Sequence, residues 1–94
     1  MTVQYPVHFT EVDNCILIEV PDLEILTQGC NMKDAIFMAK DAIKLMCEAK
    51  RDHHEKLPQP SKVENVQNSG TFQNDGPTRT LCVVTEFESE EKKG

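Results

Sequence analysis

Any chemistry performed by this chain has to come from its acids, its thiols or its three histidines, and their spacing is the first test. Hydrolysis assisted by two metal ions needs several carboxylates converging on neighbouring positions of a sheet. The candidates are Glu11, Asp13, Glu19 and Asp22. Glu11 and Asp13 fall in a polar turn, and Glu19 and Asp22 flank Val20-Pro21, so nothing in the spacing forces convergence. They read as solvated loop carboxylates rather than a cage for a divalent ion. Attack by a cysteine or serine needs a base held within reach, and the histidines are His8, His53 and His54. His53 and His54 are adjacent near the expected end of a helix, which points them in different directions, and a charged imidazole there also complements the helix dipole. No glycine-rich phosphate loop is present. The expectation is a protein that is not an enzyme and that holds no metal and no cofactor.

Cys15, Cys30, Cys47 and Cys82 include no CxxC pair, which speaks against a structural zinc site. Three of the four stand in apolar runs, where a reduced thiol packs as a small hydrophobe. No charged segment followed by an apolar one opens the chain, and no apolar stretch approaches the ~20 residues that span a bilayer. Together these features set the expected compartment as the reducing cytoplasm. The formal charge is −6, and the basic clusters, Lys50-Arg51 and Lys92-Lys93, are short with acidic neighbours. Such a surface repels nucleic acid phosphates and favours a cationic protein partner.

The 94 residues suffice for one domain, expected over 1–88, with a charged tail over 89–94. Val3 to Thr10 alternates, with Val3, Tyr5, Val7 and Phe9 on one side and Gln4, Pro6, His8 and Thr10 on the other, as in a half-buried strand. Pro6 lacks an amide hydrogen and belongs on an edge or outer register. Glu11 to Asn14 reads as a hairpin turn. Cys15 to Val20 is a nearly continuous apolar run, suited to a strand covered on both faces, and Pro21-Asp22 ends it. Leu23 to Gln28 forms a third strand, and Gly29 bends the chain into a helix.

That helix is the clearest element. Asn31 caps it and Asp34 favours its first turn. Met32, Ala35, Ile36, Ala39, Ala42, Ile43, Met46 and Cys47 recur at spacings of three and four, the mark of a broad buried stripe. The pattern fades near Glu55, and Pro58 prevents continuation. Gln59 to Thr78 is rich in Asn, Gln, Ser, Gly and Pro without a sustained period, so a long polar connector, partly mobile, is expected over 62–78. Leu81, Val83, Thr85 and Phe87 alternate with Cys82, Val84 and Glu86, a final strand over Arg79 to Phe87 that returns to the sheet. The fold class is therefore α+β: a three-stranded antiparallel sheet, one long helix packed on it and a closing strand.

Phe37 departs from the helical stripe and projects among Lys33, Lys40, Asp41 and Lys44, with Met38 and Leu45 on its shoulder. An exposed aromatic either covers a loop of its own chain or marks an interface. Phe37, Met38 and Leu45 are the candidate surface for self-association, with a homodimer or higher oligomer expected.

The strand order is joined by local motifs. Tyr5-Pro6-Val7 opens the first strand, Glu19-Val20-Pro21-Asp22-Leu23 ends the second, and Thr27-Gln28-Gly29 precedes the helix. Asp34-Ala35 and Ala39-Lys40-Asp41-Ala42 run along it, and Leu57-Pro58-Gln59-Pro60-Ser61 follows. In order and spacing these resemble the HicB-type antitoxin domain, a partial ribonuclease H-like fold, from about Tyr5 to Ser61. At Glu24-Ile25 the chain departs from the Pro-Gly that such domains typically carry after Asp-Leu. The resemblance implies a β-β-β-α-β module without the active-site acids of a true ribonuclease H, which binds and neutralises a small basic, RNA-cleaving HicA-type toxin. An acidic surface covering such a toxin would use Glu11, Asp13, Asp22, Glu24 and Asp34. Members commonly bind operator DNA through a C-terminal segment, and direct DNA binding is not expected of these residues. The alternative is an orphan RNA-binding or regulatory protein of the same fold, which would need a basic face.

Overall fold

Alternation of large apolar and small polar side chains makes β1 the spine of the sheet. In a computed structural model describing residues 1–88, β1 (Thr2–Val12) is followed by β2 (Cys15–Val20), a 3-10 turn (Pro21–Leu23), β3 (Ile25–Gly29), α1 (Met32–Asp52), a single-turn α2 (Val63–Val66) and β4 (Thr78–Glu86). The four strands form one antiparallel sheet in the order β3-β2-β1-β4. The expected closing strand thus lies beside the first. The expected tail, 89–94, lies outside the described residues.

Several boundaries differ from the sequence reading for local reasons. Val12 pairs with Cys15, so the turn contracts to Asp13-Asn14, and Asn14 takes the left-handed conformation there (φ 60°), which asparagine tolerates. Leu23, expected in the third strand, is instead buried in the 3-10 turn that Pro21 starts. The strand begins only after Glu24, which takes φ 56° and sends its amide back to the Pro21 carbonyl at 3.2 Å. Pro6 is in a central strand rather than on an edge. It remains compatible because β1 pairs with β2 only from His8 onwards, so the missing amide hydrogen falls beyond the end of β2.

One face of the sheet carries Tyr5, Val7, Phe9, Ile16, Ile18, Val20 and Val83, all buried against Ala35, Ala39, Ile43 and Cys47 of α1. Small residues on that helical stripe bring the backbones together. A methyl group added at Gly29 would stand 2.7 Å from the Ala35 Cα, so this position tolerates only glycine. Asn31 caps α1 as expected, its Oδ1 accepting from the Asp34 amide at 2.9 Å.

The second face is not the solvated one that Gln4, Pro6, His8 and Thr10 implied. Pro6, His8 and Thr10 are all buried. The polar segment after α1 folds across them: Gly70 lies against the His8 ring, and Gly76 touches the Glu11 carbonyl so closely that no side chain fits. Thr10 and Thr78 share a hydroxyl hydrogen bond at 2.8 Å, and His8 Nδ1 meets Thr80 Oγ1 at 2.7 Å. The connector is therefore a structural layer. Its polarity conceals this because it covers the sheet with glycines, a half-buried Phe72 and hydroxyls rather than with an apolar period.

Tyr5 ties the exit of α1 to the core. Its hydroxyl donates to the Pro58 carbonyl at 2.7 Å, a bond that a phenolate cannot make. Burial, with added repulsion from Cys47 and Asp22, pushes its pKa up to about 12. Because the folded value exceeds the ordinary one near ~10, the unfolded chain ionises first. The stabilisation from Tyr5 is complete below pH ~10 and is lost as pH climbs towards ~12, about 2–3 kcal/mol in all. Tyr5 is the sole tyrosine and there is no tryptophan, so phenolate absorbance reads it alone. The expected titration midpoint lies well above that of the urea-unfolded chain; coincident midpoints would show that the phenol is solvated.

Candidate partner-binding surface

Carboxylates available to a partner are those that the fold has not already used. Two of the four acids weighed for metal chemistry are engaged by the connector. Both oxygens of Asp22 accept from Ser61, one from its amide and one from its hydroxyl, each at 2.7 Å. Glu19 holds Thr71 in the same manner, at 2.7 Å from the amide and 2.8 Å from the hydroxyl. Asp34 accepts from the Cys30 amide at 2.8 Å while its own amide serves the Asn31 cap. Asp22 and Asp34, named as partner-binding candidates, are half-buried and spent on these bonds. Glu11, Asp13 and Glu24 remain exposed.

The five candidates do not form one patch. Glu11, Asp13 and Asp34 gather where β1 ends, β2 begins and α1 starts. Asp22 and Glu24 lie at the far end of β2, separated from the others by the length of the strand, roughly 17 Å. Beside the first group opens a groove of about 450 Å³ lined by Phe9, Glu11, Met32, Pro77, Thr78 and Arg79. Phe9, Met32 and Pro77 give it an apolar side, and Glu11 and Arg79 bring one charge of each sign to its rim.

A second groove of about 520 Å³ runs between α1 and β4, lined by Phe37, Lys40, Asp41 and Lys44 with Val84, Thr85 and Glu86. Phe37 stands at its rim, 64% exposed, so it covers no loop among the described residues. Met38, expected beside it in a self-association patch, is half-buried against the core. Leu45 is exposed but lies about 80° further round the helix. Phe37 therefore belongs to the β4 side of α1 and Leu45 to a separate flank. Lys33, Lys40 and Lys44 make an exposed basic line beside Phe37, broken by Asp41 and Glu48.

Of the thiols, Cys47 is buried and Cys15 half-buried, but Cys30 and Cys82 are exposed. Cys82 departs from the expectation for an apolar run: it is exposed on the edge strand, although Thr78 and Thr80 on the same face of β4 are half-buried. The sequence reading weighed Glu19 and His8 only for chemistry and missed Glu19 as the anchor of Thr71 and His8 as a buried residue beneath the connector. The usable signal was Ser61 and Thr71 in the connector, each able to present an amide and a hydroxyl to one carboxylate.

Asp22→Asn leaves one acceptor where Ser61 needs two and is expected to cost about 1–2 kcal/mol in urea denaturation. Glu24→Gln, at an exposed side chain, is expected to stay within about 0.5 kcal/mol of the parent. Amide exchange at Ser61 should rise in the first variant alone. Equal stability in both would show that the clamp is not formed in solution.

Neither a protein-family model nor a curated protein matches this sequence. Among solved structures, the chain is similar over its whole length to a chain of a toxin-antitoxin complex from Streptococcus pneumoniae, with a TM-score of 0.79, 20% identity and 78% of that chain covered. It is similar over 92% of its length to a chain of the HicA3 and HicB3 toxin-antitoxin complex, with a TM-score of 0.66, 17% identity and 99% of that chain covered. At these identities the likeness is one of fold: the chain shares its α+β architecture with components of toxin-antitoxin complexes.

Proposed function

We propose that this chain is a non-catalytic antitoxin-like module that binds and neutralises a small basic, RNA-cleaving toxin of the HicA type. The observation that carries the reading is the fold shared, over the full chain, with a component of a toxin-antitoxin complex. The sequence motifs from Tyr5 to Ser61 point the same way. Two further features support a binding role over a hydrolytic one. Glu19 and Asp22 each receive a pair of hydrogen bonds from the connector, one on each oxygen, which turns both carboxylates towards the connector. The net charge of −6 suits a cationic partner, with Glu11, Asp13 and Glu24 as its most accessible carboxylates. A reducing cytoplasm fits the free thiols exposed at Cys30 and Cys82.

Association through opposite charges is fast at low salt and slows as salt screens the field over about 10 Å at 0.1 M. The test is a pull-down from the native host, followed by binding kinetics at two salt concentrations. A small basic protein is the expected prey. Replacing Glu11, Asp13 and Glu24 together by their amides should lower its on-rate about tenfold at low salt, leaving thermal stability nearly unchanged. Recovery of RNA in place of a protein would overturn the reading in favour of an RNA-binding role through the lysine line of α1. So would RNA cleavage that needs Mg²⁺ and disappears in Asp22→Asn.

A further inference from the structure

The outer edge of β4 is unpaired among the described residues. Met1 and Phe87 exchange two backbone hydrogen bonds, at 2.9 and 3.0 Å, and the Glu11 amide donates to the Pro77 carbonyl at 2.9 Å. In an antiparallel pair, hydrogen-bonded positions alternate with non-bonded ones. The register between these two ends therefore assigns the β1 bonds to Arg79, Leu81, Val83 and Thr85. Thr78, Thr80, Cys82, Val84 and Glu86 aim their amides and carbonyls away from the sheet, on a strand with no neighbour beyond it among the described residues. Pro6, which has no amide hydrogen to give, faces Cys82 at a non-bonded position, as the alternation requires.

We propose that this edge pairs with the β4 edge of a second copy, antiparallel and centred on Cys82. The strand is nine residues long and Cys82 is its midpoint, so this register alone overlaps its whole length. Thr78 then opposes Glu86, Thr80 opposes Val84, and Cys82 opposes itself, which gives every outward amide and carbonyl a partner. On the helix face Leu81 opposes Val83 and Arg79 opposes Thr85, so no like charges meet. The side chains left bare on this strand, Leu81 at 37% and Val84 at 48% exposure, are those that the pairing covers. A long unprotected edge of this kind invites strand addition, and a two-fold axis through Cys82 closes the β4 edge isologously, leaving only the five-residue β3 at each end of the joined sheet. The axis stands normal to the sheet and keeps both α1 helices on one face. The two grooves rimmed by Phe37 then flank it.

Sedimentation is expected to give the dimer mass for the wild type. Val84→Pro removes an outward amide without touching the β1 ladder, and Cys82→Lys places a charge at the axis; both are expected to sediment as monomers with the wild-type circular dichroism. In a Cys30→Ser background, copper phenanthroline, which takes up the two electrons released by two thiols, is expected to link chains through Cys82. Opposed bonded positions lie about 5.5 Å apart at Cα, within disulfide reach. Adding Cys82→Ser should abolish the product. A monomeric wild type overturns the proposal. So does a dimer that survives in Cys82→Lys, whatever Val84→Pro does, or one that Phe37→Asp dissolves while Val84→Pro leaves it intact.

Discussion

A four-stranded sheet has two faces to bury, and this chain has one long helix with which to cover them. Everything else in the structure follows from how the second face is closed. The helix takes the apolar side through Ala35, Ala39, Ile43 and Cys47. The other side, with His8 and Thr10 at its centre, is closed by a segment that has no apolar period and so supplies little hydrophobic driving force. Its position is fixed instead by polar contacts at intervals: Ser61 on Asp22, Gly70 over the ring of His8, Thr71 on Glu19, Gly76 against Glu11. Each charge-assisted pair is individually modest, and together they hold over His8 a layer that leaves its Nε2 buried without a hydrogen-bond partner, a cost the clamps on Asp22 and Glu19 help to offset.

That economy decides which acids face outward. A sequence with sixteen Asp and Glu looks like a uniform acidic surface. In the fold, Glu19 and Asp22 hold the connector and Asp34 closes the start of the helix, whereas Glu11, Asp13 and Glu24 stay free. The outer face of α1, with Lys33, Lys40, Lys44 and Phe37, is locally basic. The molecule therefore presents acidic ends and a mixed helical flank, a pattern that net charge could not reveal.

What was legible in the sequence was whatever periodicity controls. The helix, its Asn31 cap, the alternation of β1 and β4 and the order of elements could all be read, because burial on one face imposes spacing. What was hidden depends on partners distant in sequence. His8 looks like a solvent-facing strand residue until Gly70 is placed above it, and Glu19 looks like a strand-end carboxylate until Thr71 arrives. Pro6 suggested an edge because the rule concerns ladder bonds, and the end of β2 removes that bond even in a central strand. Phe37 and Leu45 read as one shoulder because helical angle was judged without the sheet. The position of β4 separates them.

The spacing of the anchors along the connector divides it into two regimes. Between Ser61 and Gly70 only Val63 and Val66 are half-buried, and residues 67–69 are exposed, closed on themselves by Ser69 reaching back to the Val66 carbonyl. Doubling such a loop adds only about 0.6 kcal/mol of closure entropy. From Gly70 to Thr78, by contrast, every few residues are committed to the sheet and a single inserted residue would shift them all. The short stretch at 67–69 is thus where lineages can drift in length, or where an epitope or fluorophore-attachment sequence can be spliced in, while the neighbouring stretch has its length frozen by geometry despite an equally nondescript composition.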